Sequence, residues 1–215
     1  MKIAALADQV LKEELQQKPV GENVEFVWVE SLAELISITD ADAYFDMQFL
    51  TDDDRVNQLK KLLPKPIFIN SVVHVLRQIN QPFIRINAWP TFLKRNICEA
   101  VASDKEQKKS AENIFHQLKW DYQFVPDVPG MISARIIASI INEAYFTLQD
   151  EVSTKTEIDI AMKLGTNYPC GPFEWSEKIG LKNIYDLLFE LSKTDGKYKV
   201  SEALEKEIKV ISSKW

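Results

Sequence analysis

The period of the apolar positions changes near residue 126. Before that point, short apolar or alternating runs recur at 2–6, 24–29, 43–47, 66–72, 83–88 and 97–102, each of strand length. Between them lie stretches with helical spacing at 9–17, 32–36, 55–63 and 105–120, the last carrying Ala111, Ile114, Phe115 and Leu118 on one stripe. Strand and helix in alternation predict a doubly wound parallel sheet with helices on both faces, and 122–125 is expected to close it. Pro126, Pro129 and Gly130 then mark a boundary between two lobes, 1–126 and 127–215.

Beyond the boundary the pattern is purely helical. Met131, Ile132, Ile136, Ile137, Ile140, Ile141 and Tyr145 cover so much of one helix that it is expected to be buried on several sides, with helices at 182–192 and 200–211 packing around it. Thr154 and Glu157 stand at capping-box spacing, Ile158, Ala161 and Leu164 repeat at helical intervals, and Gly165 is expected to end that helix. A Pro-and-Gly stretch, 168–174, follows and reads either as a stiff turn between helices or as the wall of a cleft.

Composition changes this picture little. With 215 residues and 46% hydrophobic content the chain can bury one large core or two smaller ones. The longest apolar runs break before the roughly 18 residues a membrane span needs, and MKIAALADQ lacks the basic start of a secretory signal, so a cytoplasmic protein without membrane contact is expected. A net charge of −6 with no basic cluster interleaved with aromatics argues against nucleic acid as a partner. Cys98 and Cys170 have no metal-ligand spacing, so inert thiols and no metal site are expected. Asp52, Asp53 and Asp54 precede a helical stretch and read as a helix N-terminus favoured by the macrodipole rather than as cation ligands.

Two segments carry a resemblance: DVPGMISARIIASIINEA from Asp127 and EIDIAMKLGTNYPCGPFE from Glu157. Their order, a D-x-P-G opening, a long apolar helix with N-E-A, a D-I-D-x-A-M-K-L-G helix and a Y-P-x-G-P-F-E stretch, resembles the C-terminal domain of the 3-hydroxyacyl-CoA dehydrogenases. The resemblance implies a fold of class α/β plus all-α: a shortened Rossmann-like parallel-sheet lobe followed by a helical dimerisation-type lobe. It also implies a lineage in acyl-CoA and fatty-acid metabolism, a homodimer formed through the helical lobe, and an acyl-CoA-like small molecule as ligand.

The resemblance implies NAD(H) as cofactor, and here the N-terminal lobe departs from it. A dinucleotide fold places G-x-G-x-x-G after its first strand, so that the backbone turns tightly and the pyrophosphate reaches peptide N–H groups. This chain reads Ala7-Asp8-Gln9-Val10-Leu11, with no glycine and with a carboxylate facing an anion. Glu30, after the second strand, stands where the family places the acid that holds a ribose hydroxyl, although acids at strand ends are common without that role.

The family's chemistry needs a base for the hydroxyl proton while hydride leaves, and its members use a histidine oriented by a glutamate. Anchoring on Asn87 and Pro90 puts Ile84 at the histidine position, and isoleucine cannot accept a proton. General-base catalysis is worth roughly 10²–10⁴-fold. The serine position falls on Val72, with Ser71 one residue off; the asparagine position falls on Ala134; the glutamate falls on Asn96 or, with three extra residues, on Glu99. His74 and His116 are the two remaining histidines, His74 lying nearer a strand end and on an expected helix start. Phe83, Trp89 and Phe92 fit either a ligand groove or packing, and Arg85 either an anion contact or a solvent-facing edge charge.

The expectation is therefore a dehydrogenase relative that has lost hydride transfer and keeps a ligand-binding, partner-binding or structural role. The alternative is an active NAD(P)-dependent oxidoreductase on a 3-hydroxyacyl-CoA or other hydroxy or oxo substrate, with Ser71, His74 or Glu99 as catalytic residues and Glu30 as a cofactor contact.

Overall fold

Alternation along the first strand sorts its side chains to two faces, and the rest of the lobe is arranged around that division. The computed structural model describes residues 1–212; the end of the expected helical lobe, 213–215, lies outside the described residues. The chain folds into two compact units, Met1–Met131 and a second that begins at Ile132.

In the first unit, β1 (Lys2–Leu6), β2 (Glu25–Val29), β3 (Ala43–Asp46), β4 (Ile67–Asn70), β5 (Ile84–Ile86), β6 (Ile97–Val101) and β7 (Asp121–Phe124) form one seven-stranded sheet in the order β2-β1-β3-β4-β5-β6-β7. The helices are α1 (Gln9–Gln17), α2 (Leu32–Ser37), α3 (Asp53–Leu59), α4 (Leu76–Ile79) and α5 (Lys105–Leu118), with a 3-10 turn at Lys60–Leu62. Ile3 and Ala5 of β1 join Phe45, Phe68, Ile84 and Ile86 under α1 and α5. Ala4 and Leu6 join Tyr44, Ile67 and Ile69 under α2 and α3. On the first face Phe45 stacks on Phe68 at 4.5 Å and Phe115 of α5 meets Phe68 edge-on at 5.3 Å. Such ring pairs are each worth about 0.5–1.5 kcal/mol beyond the area they bury.

Strands β1 to β5 are parallel, as the alternation of elements predicts, but β5 pairs with β6 antiparallel, Arg85 opposite Val101 and Ile86 opposite Ala100. Strand β7 then runs parallel to β6. The cause is the length of the link: residues 87–96 are fewer than the dozen or so that a parallel crossover requires, so the chain turns back along the edge.

The second unit contains α6 (Ser133–Gln149), α7 (Lys155–Thr166), α8 (Pro172–Ile179), α9 (Leu181–Ser192), a 3-10 turn at Gly196–Tyr198, and α10 (Glu202–Ser212). Ala134, Ala138, Ile141, Ala144 and Tyr145 of α6 are buried, and Asn142 joins two segments by donating to the Lys199 carbonyl (2.9 Å) and accepting the Ser201 N–H (3.0 Å). Burial of α6 on several sides is only partly met, because Ile136 remains 54% exposed and Ile132 is exposed beside it. Helix α7 continues through Gly165 to Thr166 and stops at Asn167 in the left-handed conformation, φ 56°; asparagine here serves as the C-terminal cap expected of glycine.

The 168–174 stretch is more than a turn, since α8 starts within it. Pro172 occupies the first helical position, where a missing N–H costs nothing, and Glu174 accepts the Gly171 N–H at 3.1 Å. Asp159 of α7 accepts the N–H groups of Phe173 (2.8 Å) and Glu174 (3.1 Å), satisfying two of the donors that a helix start leaves open.

Candidate functional site

In an open, doubly wound sheet the ligand crevice lies beyond the C-terminal ends of the parallel strands, which here are Leu6, Val29, Asp46, Asn70 and Ile86. At three of these ends a polar side chain, Asp8, Asp46 or Asn70, is engaged within the protein. After β1, Asp8 takes an extended conformation (φ −70°, ψ 172°) and caps α1, its Oδ1 accepting the Leu11 N–H at 2.8 Å. This carboxylate holds the helix N-terminus at which a dinucleotide's pyrophosphate would sit. The turn therefore does not fit that group: a donor is already engaged and the local charge repels an anion.

After β2, Glu30 is exposed, and its backbone N–H donates to Glu34 Oε2 at 3.1 Å. At the end of β3, Asp46 is wholly buried and receives both Nε (2.7 Å) and Nη2 (2.6 Å) of Arg55, with the Gln48 N–H at 3.1 Å. Burial pushes the Asp46 carboxyl up even against the pull of Arg55, the penalty expected of a desolvated charge. At the end of β4, Asn70 donates to the Met47 carbonyl (3.3 Å) and accepts the Ala88 N–H (3.2 Å).

The named candidates are not assembled into a proton-transfer pair. Ser71 is buried and its hydroxyl donates to the backbone carbonyl of His74 at 2.9 Å, not to the imidazole. His74 is exposed and lies in the bend before α4, whose first residue is Leu76, so the expected helix start falls two residues later. Glu99 is buried on β6, where its Oε2 accepts Asn87 Nδ2 at 3.3 Å and its Oε1 lies 3.6 Å from Arg95. Asn96, the other register for that acid, is exposed in the preceding link. Ile84 and Val72 are core residues, and Ala134 is buried in the first turn of α6. His116 is exposed on α5, 3.3 Å from the Tyr122 hydroxyl.

Arg85 is not an edge charge: it has no solvent exposure and pairs with Asp127. Sequence reasoning also missed the Asp46–Arg55 pair, which ties the end of β3 to α3, and the buried Glu14, one acid among several polar residues of α1. Cys98 is buried and its thiol is pushed up to about 12 by that burial; Cys170 is likewise free, with Lys178 Nζ donating to its Sγ at 3.0 Å. Among the described residues, no group of three His, Cys, Asp or Glu side chains could hold a metal ion. No helix among them is long and apolar enough to cross a membrane.

The sheet, with helices on both faces, defines a Rossmann-like architecture, and a separate helical unit follows it. Residues 130–210 match the family described as 3-hydroxyacyl-CoA dehydrogenase, C-terminal domain, and the chain resembles those enzymes. The 3-hydroxyadipyl-CoA dehydrogenase of Escherichia coli (strain K12) is 41% identical over 92 residues, 43% of this chain and 19% of that protein. A 3-hydroxybutyryl-CoA dehydrogenase of Bradyrhizobium diazoefficiens is 29% identical over 132 residues, 60% of this chain and 44% of that protein. The matched stretches thus span less than half the length of these relatives. Among solved structures, the (S)-3-hydroxybutyryl-CoA dehydrogenase of Ralstonia eutropha superposes with a TM-score of 0.73 at 18% identity, covering 97% of this chain and 93% of that one. At that identity the likeness is one of fold.

Proposed function

We propose that this chain is a homologue of the 3-hydroxyacyl-CoA dehydrogenases, of acyl-CoA metabolism lineage, that does not carry out NAD-dependent hydride transfer and acts instead by binding an acyl-CoA-like ligand or a protein partner. The observation that carries this reading is the Asp8 carboxylate seated on the N-terminus of α1, where the relatives' cofactor would need N–H donors and no negative charge. Ile84 at the position of the base supports it, since loss of a general base removes about 3–5.5 kcal/mol of barrier lowering. Titration with NADH tests the reading: no energy transfer from tryptophan to nicotinamide is expected, and saturable binding at micromolar concentration would overturn it. Oxidation of NADH with acetoacetyl-CoA is expected to match the buffer rate.

A second reading keeps an oxidoreductase with a rearranged site, and what favours it is the buried Asn87–Glu99 contact, a polar pair held in the interior of the sheet unit. A measurable rate with acetoacetyl-CoA that Glu99→Gln abolishes would establish it.

The reading includes a homodimer through the helical unit. Ile136 of α6, Ile160 and Leu164 of α7 and Phe189 of α9 are exposed large apolar residues that a second copy would cover. Light scattering on the full chain is expected to give twice the mass of 24.7 kDa.

A further inference from the structure

The link between β5 and β6 bends at a residue ill suited to the bend. Thr91 has φ 80°, in the left-handed region that a β-branched side chain rarely enters. Strained backbone of this kind persists only where its surroundings hold it in place, and it gathers at sites that switch. What holds Thr91 is Glu14 of α1, whose Oε1 accepts the Thr91 N–H at 2.6 Å. The rest of the link is tied at its two ends: Asn70 Oδ1 accepts the Ala88 N–H at 3.2 Å, and Lys18 Nζ donates to the Arg95 carbonyl at 3.0 Å. Between these points Trp89, Phe92 and Leu93 are buried.

The side chain that holds the bend can titrate. Glu14 is 2% exposed, and its Oε2 is buried with no hydrogen-bond partner. The charged groups around it are Asp8 and Lys18 at the ends of α1, Lys94 and Arg95 of the link, and Lys119 and Asp121 before and at the start of β7. Burial raises the Glu14 carboxyl; the Thr91 N–H, Lys94 and the Leu93 N–H pull against that rise, and Asp8 adds to it. A protonated carboxyl still accepts the Thr91 N–H through Oε1.

Opening of the link would bring Glu14 into water, where its ordinary value of 4.5 returns. The closed form therefore holds a proton more tightly than the open one, and rising pH favours opening.

We propose that residues 88–96 form a latch at the C-terminal ends of β4 and β5, closed on protonated Glu14 and loosened when that carboxyl ionises. Release frees Asn70 Oδ1 from the Ala88 N–H and opens the strand-end region where a doubly wound sheet takes its ligand. The open form is a minor state, because Trp89, Phe92 and Leu93 leave the core in it. The inference does not depend on whether the chain transfers hydride.

Hydrogen exchange of the full chain, followed by NMR from about pH 4.5 to 7 and corrected for the intrinsic exchange rate, tests the latch. The Thr91, Phe92 and Leu93 amides are expected to lose protection as pH rises, by up to about tenfold per pH unit, the slope of one proton, and to level off once Glu14 ionises in place. The amides of β4 are expected to stay the more protected at every pH, as local opening requires. Glu14→Gln keeps the carbonyl acceptor but cannot ionise, and is expected to remove the slope. Glu13→Gln, exposed on the same helix, is expected to leave it. Thr91→Gly relieves the backbone and is expected to raise protection at every pH with the slope intact. A flat profile in the unsubstituted chain, an unchanged slope in Glu14→Gln, a fall in protection in Thr91→Gly, or link amides exchanging no faster than those of β4 would each overturn the proposal.

Discussion

The guanidinium of Arg85, wholly buried on β5, pairs with the carboxylate of Asp127, forty-two residues further along the chain. It also donates from Nε to the Ser71 carbonyl (2.8 Å) and from Nη2 to the Val72 carbonyl (3.1 Å). Asp127 in turn accepts the N–H groups of Leu76 (3.0 Å) and Arg77 (3.4 Å). One buried cation thus fastens the segment after β4, the start of α4 and the segment after β7. Asp127→Asn is expected to cost about 2 kcal/mol in urea denaturation, below the 3–5 kcal/mol of a fully buried pair because Asp127 is partly exposed. No change in midpoint would remove the pair from the account of stability.

Asp8 and Leu11 give a second prediction. If the carboxylate acts as a cap, Asp8→Ala costs about 1 kcal/mol while Asp8→Gly costs only a few tenths. Equal losses for the two variants, measured by thermal denaturation, would show that the 2.8 Å contact is not what holds this turn.

The strands of the first unit and the stripe on α5 were legible because period-2 and period-3.6 patterns are local properties of the chain. The reversal of β6 and β7 was less so: it follows from the short link 87–96, which is visible only once both strand ends are known. The start of α8 was hidden because Pro-x-Gly-Pro reads as a turn until Asp159 on another helix is seen to accept its first N–H groups. The absence of glycine after β1 could be read directly, but not that Asp8 would fill the space with a cap. Arg85 could not be assigned from sequence, since its partner lies far along the chain and the same strand pattern suits an exposed charge.

Gly171 is required by space rather than by backbone conformation, since its φ is −71°. An added Cβ would lie 2.2 Å from Cγ and 2.4 Å from Cβ of Asp159. Gly171→Ala is therefore expected to cost about 3 kcal/mol, more than the 1–2 kcal/mol of Asp159→Ala, which loses only the cap on α8. Because Cβ of residue 159 remains in the way, Asp159→Ala does not rescue Gly171→Ala. A double-mutant cycle in urea checks both statements.

Stability is expected to fall at both ends of the carboxylate range, for different reasons. Hydrogen bonds from Ser153, then from Thr154, hold Glu157 below its ordinary value of 4.5; its contribution is complete above the unfolded pKa and is lost as pH falls through the lower folded value. Glu14 is raised by burial, so its contribution is complete below its unfolded pKa and is lost as pH rises through the folded value. Urea midpoints followed over about pH 3 to 7 should show Glu157→Gln flattening the acid limb and Glu14→Gln flattening the opposite one. Unchanged limbs in both variants would contradict the two assignments.

Two further glycines separate space from propensity. At Gly21 an added Cβ would stand 2.2 Å from the carbonyl oxygen of Gln117, a backbone atom of α5 that cannot swing aside. Gly21→Ala is expected to lose about 3 kcal/mol, because the α1–β2 link must move away from the helix. Gly165 lies within α7 and an added Cβ meets nothing within 4 Å, so alanine there keeps every contact while reducing the freedom of the unfolded chain. Gly165→Ala is expected to gain about 0.5–1 kcal/mol. Opposite shifts in melting temperature for the two variants are the expected result, and a loss at both positions would place a constraint on α7 that the packing around Gly165 does not show.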